Sequence, residues 1–156
     1  TGKGTTGAVI AEVYDATPAA SVTATTPRLI NVSVLKYIAP NATLTAGFVI
    51  GGSTAKSVLI RAIGPSLSRF GVGGPLSDSR LTLYQQGNDT PLATSDNWGG
   101  SPNLRDAMKA VGAFDLDASS KDAALLITLQ PGSYTAQANG VGPLSGTALV
   151  EVYEVP

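Results

Sequence analysis

The chain has 156 residues, of which 43% are hydrophobic and 13% charged, a balance typical of a folded domain with a sizeable core. Its net charge of −1 gives no electrostatic attraction to nucleic acid, and no apolar run approaches the roughly 20 residues that span a bilayer. Cysteine and histidine are absent, which excludes disulfides, thiolate or imidazole zinc sites, and Ser-His-Asp or Cys-His catalysis. We therefore expect a protein that is not an enzyme, without a nucleic-acid partner or membrane insertion.

The first predicted element is a strand over residues 8–14. It lies within GAVIAEVYD at residues 7–15, which recurs with four identical positions as GTALVEVYE at residues 146–154. Two strands of one sandwich that converged on similar sequence would explain this likeness. A strand that belongs to a neighbouring domain also explains it, because an apolar strand left unpaired is an aggregation hazard. On that interpretation residues 1–15 are a linking or donated strand that adds to another sheet through Val9, Ile10, Ala11, Val13 and Tyr14.

Residues 16–27, ATPAASVTATTP, are small, β-branched or proline and show no alternating apolar face. Such a composition predicts an extended linker rather than part of a core. The domain proper is therefore expected to occupy residues 28–156.

Eight further apolar segments, rich in β-branched residues and bounded by Gly, Pro, Asn or Asp, predict the strands of this domain. They cover residues 29–36, 44–50, 57–63, 80–85, 91–94, 123–129, 134–138 and 147–153. One helix is predicted over residues 103–111 from the spacing of Leu104, Met108 and Val111. Many short strands with one short helix indicate an all-β, jelly-roll-like β-sandwich. The predicted core contains Phe48, Val58, Ile60, Leu83, Leu125, Ile127 and Val150.

Acidic and amide side chains in the predicted loops are candidates for a calcium site, since Ca²⁺ prefers hard oxygen ligands. SDNWGG at residues 95–100 and DLDASSKD at residues 115–122 contribute the candidate ligands Asp96, Asn97, Asp115, Asp117 and Asp122. The spacing matches no EF-hand, and Asx-turns and caps are the alternative role for these residues.

Two single side chains stand out in the sequence. Trp98 lies in a Gly-flanked loop, where it is either a platform for a sugar ring or a lid on one end of the core. Arg61 interrupts the apolar run VLIRAIG, and a cation on such a face needs a carboxylate partner. Glu151 and Asp122 are the candidate partners.

Several blocks of the chain resemble a repeat module of large exported bacterial proteins. They include RLINVSV at residues 28–34, GFVIGGSTAKSVLIRAIGPSL at residues 47–67, KDAALLITLQPGSYTA at residues 121–136 and GTALVEVYE at residues 146–154. Modules of that family follow one another in tandem, which implies export and a structural or adhesive use. LTLYQQGNDTPLATSDNWGG at residues 81–100 resembles more loosely the pre-peptidase C-terminal β-sandwich domains of secreted bacterial proteins.

From the repeated strand and these resemblances we expect an extracellular structural protein. It is either a subunit or one period of a tandem array, and its sandwiches join head to tail into a filament whose partners are further copies of itself. The alternative is a carbohydrate-binding or calcium-dependent accessory module, with a glycan as partner or Ca²⁺ as cofactor. An enzyme that uses paired carboxylates, such as Asp96 with Asp122, is the third hypothesis.

Overall fold

The computed structural model describes residues 7, 9–23, 25–26 and 29–156. These residues form eight strands and one α-helix. The strands are β1 (Asn31–Ile38), β2 (Leu44–Ile50), β3 (Lys56–Ile63), β4 (Ser79–Gln85), β5 (Ala93–Ser95), β6 (Ala123–Leu129), β7 (Gly132–Gly140) and β8 (Gly146–Glu154). The helix α1 (Pro102–Ala110) lies between β5 and β6, and 3-10 helices cover Ala19–Ser21 and Pro65–Phe70.

The strands form two antiparallel sheets, in the orders β1-β8-β3-β6 and β2-β7-β4-β5. Their pairing is nested, because β1 pairs with β8, β2 with β7, β3 with β6 and β4 with β5. Eight strands paired in this way form a jelly roll. The prediction of an all-β, jelly-roll-like sandwich is confirmed.

The main core lies between the two sheets and holds most of the side chains predicted for it. Val58, Ile60, Leu83 and Val150 are buried. The other three predicted members are partly buried and pack against this core: Phe48, Leu125 and Ile127.

A second apolar cluster covers the outer face of the sheet that contains β3. Leu59 and Ile63 of β3 pack there against Met108 of α1, Trp98 and Leu116. Because both faces of β3 are covered, its residues from Val58 to Ile63 are all buried, Arg61 included. The continuous apolar run of this strand follows from that double burial.

The predicted strand bounds differ from the structure most at β1, β5 and β7, where β5 begins two residues later than predicted and β7 is longer by two residues at each end. β2 and β6 coincide with their predictions, whereas β1 begins two residues later than predicted and leaves Leu29 and Ile30 exposed. The 3-10 helix Pro65–Phe70 was not predicted. Of the predicted strand at residues 8–14, residues 9–14 have no strand structure, and Ala8 lies outside the described residues.

Candidate functional site

The candidate assembly strand is exposed along its whole described length. Val9 and Ile10 are 92% and 80% accessible, and Val13 and Tyr14 are similarly open to solvent. Neither sheet of the sandwich includes any of these residues. The hydroxyl of Tyr14 donates a hydrogen bond of 2.9 Å to Glu12 Oε1, and this bond raises the pKa of Tyr14. The apolar side chains of residues 9–14 are thus open to solvent.

The similar strand β8 has the opposite environment, because it is paired on both sides. It forms antiparallel ladders with β1 across eight residue pairs and with β3 across six. Ala148, Val150 and Val152 on its inner face lie in the main core, while Leu149 and Tyr153 on the outer face contact the second cluster. β8 therefore closes the sheet between β1 and β3, and we call it the closing strand.

A buried ion pair joins β8 to β3. Arg61 is 0% accessible and lies opposite Glu151 in the ladder. Its Nε and Nη2 atoms donate to Glu151 Oε2 at 3.0 and 2.5 Å, and Nη1 donates to the carbonyl of Phe114 at 2.6 Å. The guanidinium also lies 4.4 Å from the centre of the Phe114 ring, a favourable cation–π distance. Of the two predicted partners for Arg61, the structure selects Glu151.

Two other residues of β8 have specific contacts: Tyr153, which bonds Glu151, and Gly146, which lies against Leu76. Tyr153 donates a hydrogen bond of 2.9 Å to Glu151 Oε1, so both carboxylate oxygens have partners. Burial, followed by this hydrogen bond, raises the pKa of Tyr153. At the start of β8, a Cβ on Gly146 would lie 2.6 Å from backbone atoms of Leu76, which leaves room for glycine alone. Sequence reasoning did not assign Tyr153 or Gly146 a role, although their recurrence in residues 7–15 was the available signal.

The predicted calcium ligands do not form one cluster, and those with side-chain partners have different ones. Asp96 pairs with Arg80 at 3.5 Å. Asp117 accepts hydrogen bonds from the hydroxyl and amide of Ser119, which lower the pKa of its carboxyl group. Asn97 and Asp115 are exposed. Within residues 7, 9–23, 25–26 and 29–156, no three acidic side chains are grouped as a metal site.

Asp122 has a structural role that the sequence did not reveal. Its carboxylate is buried and accepts a hydrogen bond of 2.8 Å from the amide of Gly64 and one of 2.5 Å from the hydroxyl of Ser66. These bonds hold the start of the 3-10 helix Pro65–Phe70 against β6. The carboxylate is thus unavailable both to a calcium ion and to a catalytic pair with Asp96.

The hypothesis that Trp98 is a sugar platform is wrong. The side chain is 3% accessible and packs in the second cluster, so neither ring face is free for a ligand. Its Nε1 atom donates to the carbonyl of Asp117 at 2.8 Å, which satisfies the polar edge of the buried ring. Trp98 therefore has the core role that was predicted as its alternative, but in the second cluster on the outer face of the β3 sheet rather than at one end of the core between the two sheets.

No protein-family model matches the chain, and a search of curated proteins finds no match. Among solved structures, the chain is similar to the pre-peptidase C-terminal domain of a collagenase from Bacillus anthracis. The TM-score is 0.48 and the sequence identity 14%, over 79% of this chain and 89% of that one. In the part of the chain that the structure describes, no helix has the length and apolar character to cross a membrane.

Proposed function

We propose that this chain is a structural module of an extracellular bacterial fibre, in which β-sandwiches of this kind are joined head to tail by strand addition. One observation carries the proposal. Residues 7–15 have a sequence like that of the closing strand, and their described members, Gly7 and residues 9–15, are exposed and lie outside both sheets of a sandwich whose own closing strand is already in place.

Strand addition would remove the cost of this exposure. Each fully buried Val or Ile side chain contributes about 1.5–3 kcal/mol, and each main-chain hydrogen bond a net of about 0.5–1.5 kcal/mol. Val9, Ile10 and Val13 together with several ladder bonds therefore supply enough energy for a stable junction, even without disulfides. The partners are further sandwiches of the same fold in which the strand position that receives the segment is open.

The extracellular location is supported by the resemblance to modules of exported bacterial proteins and by the low charge of the chain. The spacer between the segment and β1 supports the head-to-tail arrangement. Residues 16–23 contain one short 3-10 helix, and of the side chains described there only Thr17 is partly buried, so the spacer does not dock the segment onto its own sandwich.

The test is whether residues 1–15 bring two sandwiches together. The experiment has two arms, and the oligomeric state is measured in both. In the first the full chain is alone, and in the second it is co-produced with an acceptor chain that ends at Ser145 and so has no closing strand. Light scattering after size exclusion gives the mass of each species, and electron micrographs show whether any assembly is elongated. We expect assembly in at least one arm, and its loss on deletion of residues 1–15 or in Val13→Asp.

The matched control is Thr17→Asp, which places the same charge in the spacer, where it leaves the strand intact. A peptide of residues 146–156, the acceptor's own closing strand, is the control that shows the acceptor to be competent. Assemblies that persist after deletion of residues 1–15, or an absence of complex in both arms with a competent acceptor, would contradict the proposed function.

A further inference from the structure

We infer that residues 7–15 are a closing strand for a second sandwich. They would occupy the position that β8 has in this chain, between the partner's strands that correspond to β1 and β3, in a partner that lacks its own closing strand. This inference rests on the proposed function and specifies where the segment binds. The alternative is addition to an open sheet edge, such as the free edge of β1. The choice follows from which residues of β8 recur in the segment.

The first recurring residue is the acidic one. Glu151 is buried in β8 because it neutralises the buried Arg61, and an unpaired cation there would be strongly destabilising. Glu12 occupies the corresponding position of the segment. At an open, solvated edge a carboxylate at this position has no buried cation to neutralise. In a β8-type position it has one, provided that the partner carries an arginine where this chain has Arg61.

The second recurring residue is the tyrosine, and it keeps the same contact. Tyr153 donates to Glu151 at 2.9 Å within β8, and Tyr14 donates to Glu12 at 2.9 Å in the exposed segment. The free segment therefore already holds its carboxylate in the hydrogen bond that the closing strand uses. That leaves the second oxygen of Glu12 for an arginine.

The third recurring residue is the glycine. Gly146 lies so close to Leu76 that a Cβ would overlap backbone atoms. Around Gly7 a Cβ would meet nothing within 4 Å, so the free segment gives no steric reason for glycine. A place against the Leu76-type backbone of a partner gives that reason.

The inner face of the segment has the same composition as that of β8. Ala148 and Val150 of β8 correspond to Val9 and Ala11, one alanine and one valine in the opposite order, and Val152 corresponds to Val13. The summed side-chain volume is therefore unchanged. In this chain the order favours β8, because Val9 would be too large where the fully buried Ala148 lies.

The first test replaces β8 with the sequence of the segment in the full chain. The changes are Thr147→Ala, Ala148→Val, Leu149→Ile, Val150→Ala and Glu154→Asp. We expect this variant to unfold cooperatively, at a lower melting temperature because of the reversed core order. Adding Glu151→Gln to this variant should lower the melting temperature further. The matched control is Glu151→Gln in the original chain, where we expect a decrease of about the same size.

The second test measures binding of a labelled peptide of residues 1–17 to the intact protein, in which the β8 position is filled. We expect no binding there. In the complex with the acceptor that ends at Ser145, Glu12→Gln in the donor should weaken binding by about 100-fold or more, the equivalent of losing a buried ion pair.

The outcomes separate the two proposals. A five-substitution variant that does not unfold cooperatively, or in which Glu151→Gln is harmless, overturns the inference. Binding of the peptide to the intact protein also overturns it, but leaves the proposed function in place with an open edge as the acceptor. Absence of any complex with the intact protein, and with a truncated acceptor that is shown to be competent by its binding of a peptide of residues 146–156, overturns the proposed function itself.

Discussion

Two similar stretches of this molecule, β8 and residues 7–15, have opposite environments. β8 is hydrogen-bonded on both sides and contributes to both apolar clusters, whereas the described part of residues 7–15 is exposed and unpaired. The positions that the two stretches share do not by themselves determine these environments, whereas the availability of partner strands does. This sandwich has no vacancy between β1 and β3, because β8 already lies there.

The largest expected difference between the two stretches concerns their acidic residues. Glu151→Ala should destabilise the sandwich by about 3–5 kcal/mol, because it leaves the buried Arg61 without its counter-charge. Glu12→Ala should leave the free energy of unfolding unchanged, since Glu12 is exposed and bonds only Tyr14 in the described structure. Chemical denaturation of both variants measures the contrast. Equal effects would show that residues 7–15 contribute to their own sandwich.

An intermediate difference is expected for the two glycines. Gly146→Ala forces a Cβ against the backbone of Leu76 and should cost about 1–3 kcal/mol. Gly7→Ala has open space around it and should change the melting temperature little. A Gly146→Ala protein as stable as the original would mean that β8 and Leu76 can separate without cost, contrary to their close packing.

The smallest expected difference is between the tyrosines and appears only at alkaline pH. Burial and the bond to Glu151 raise the pKa of Tyr153 above its ordinary value of 10.0. The resulting stabilisation is fully present below pH 10 and is lost as pH rises through the raised pKa, because the unfolded chain releases this proton first. The stability difference between the original chain and Tyr153→Phe should therefore shrink above pH 10.

The control for this pH effect is Tyr14→Phe. Tyr14 is exposed on a segment that lies outside both sheets, so its substitution should leave the stability profile unchanged across the same pH range. Denaturation curves recorded from neutral pH to above pH 10 provide the comparison. A constant difference between Tyr153→Phe and the original chain would contradict a raised pKa for Tyr153.

Most of the strands could be predicted because each records its own burial pattern in sequence. β2 alternates buried and exposed residues, and the doubly covered β3 is continuously apolar, so both were recognisable without their partners. The 3-10 helix Pro65–Phe70 was missed because part of what holds it is distant in sequence. Its first turn is anchored by the buried carboxylate of Asp122.

The candidate site was only partly predictable, for the same physical reason. The sequence showed that Arg61 needs a carboxylate, but the choice of Glu151 over Asp122 depends on the register between β3 and β8. Trp98 had two predicted roles, and the packing of α1 and the loop that contains Leu116 determines which one it has. The recurrence of Glu and Tyr in residues 7–15 was visible at once, but its meaning required the contacts that these residues make in β8.

The nested pairing of β1 with β8 also determines how the sandwich responds to a pulling force. Asn31 lies opposite Tyr153, and the amide of Glu154 donates to the carbonyl of Ile30, so the chain enters and leaves the sheet at neighbouring points of one end. Since antiparallel ladder bonds lie perpendicular to the strands, tension applied at these two points loads the bonds singly, from that end inward. A sandwich pulled by its two ends would therefore unzip β1 from β8 at low force, and this pair would extend before the rest of the fold.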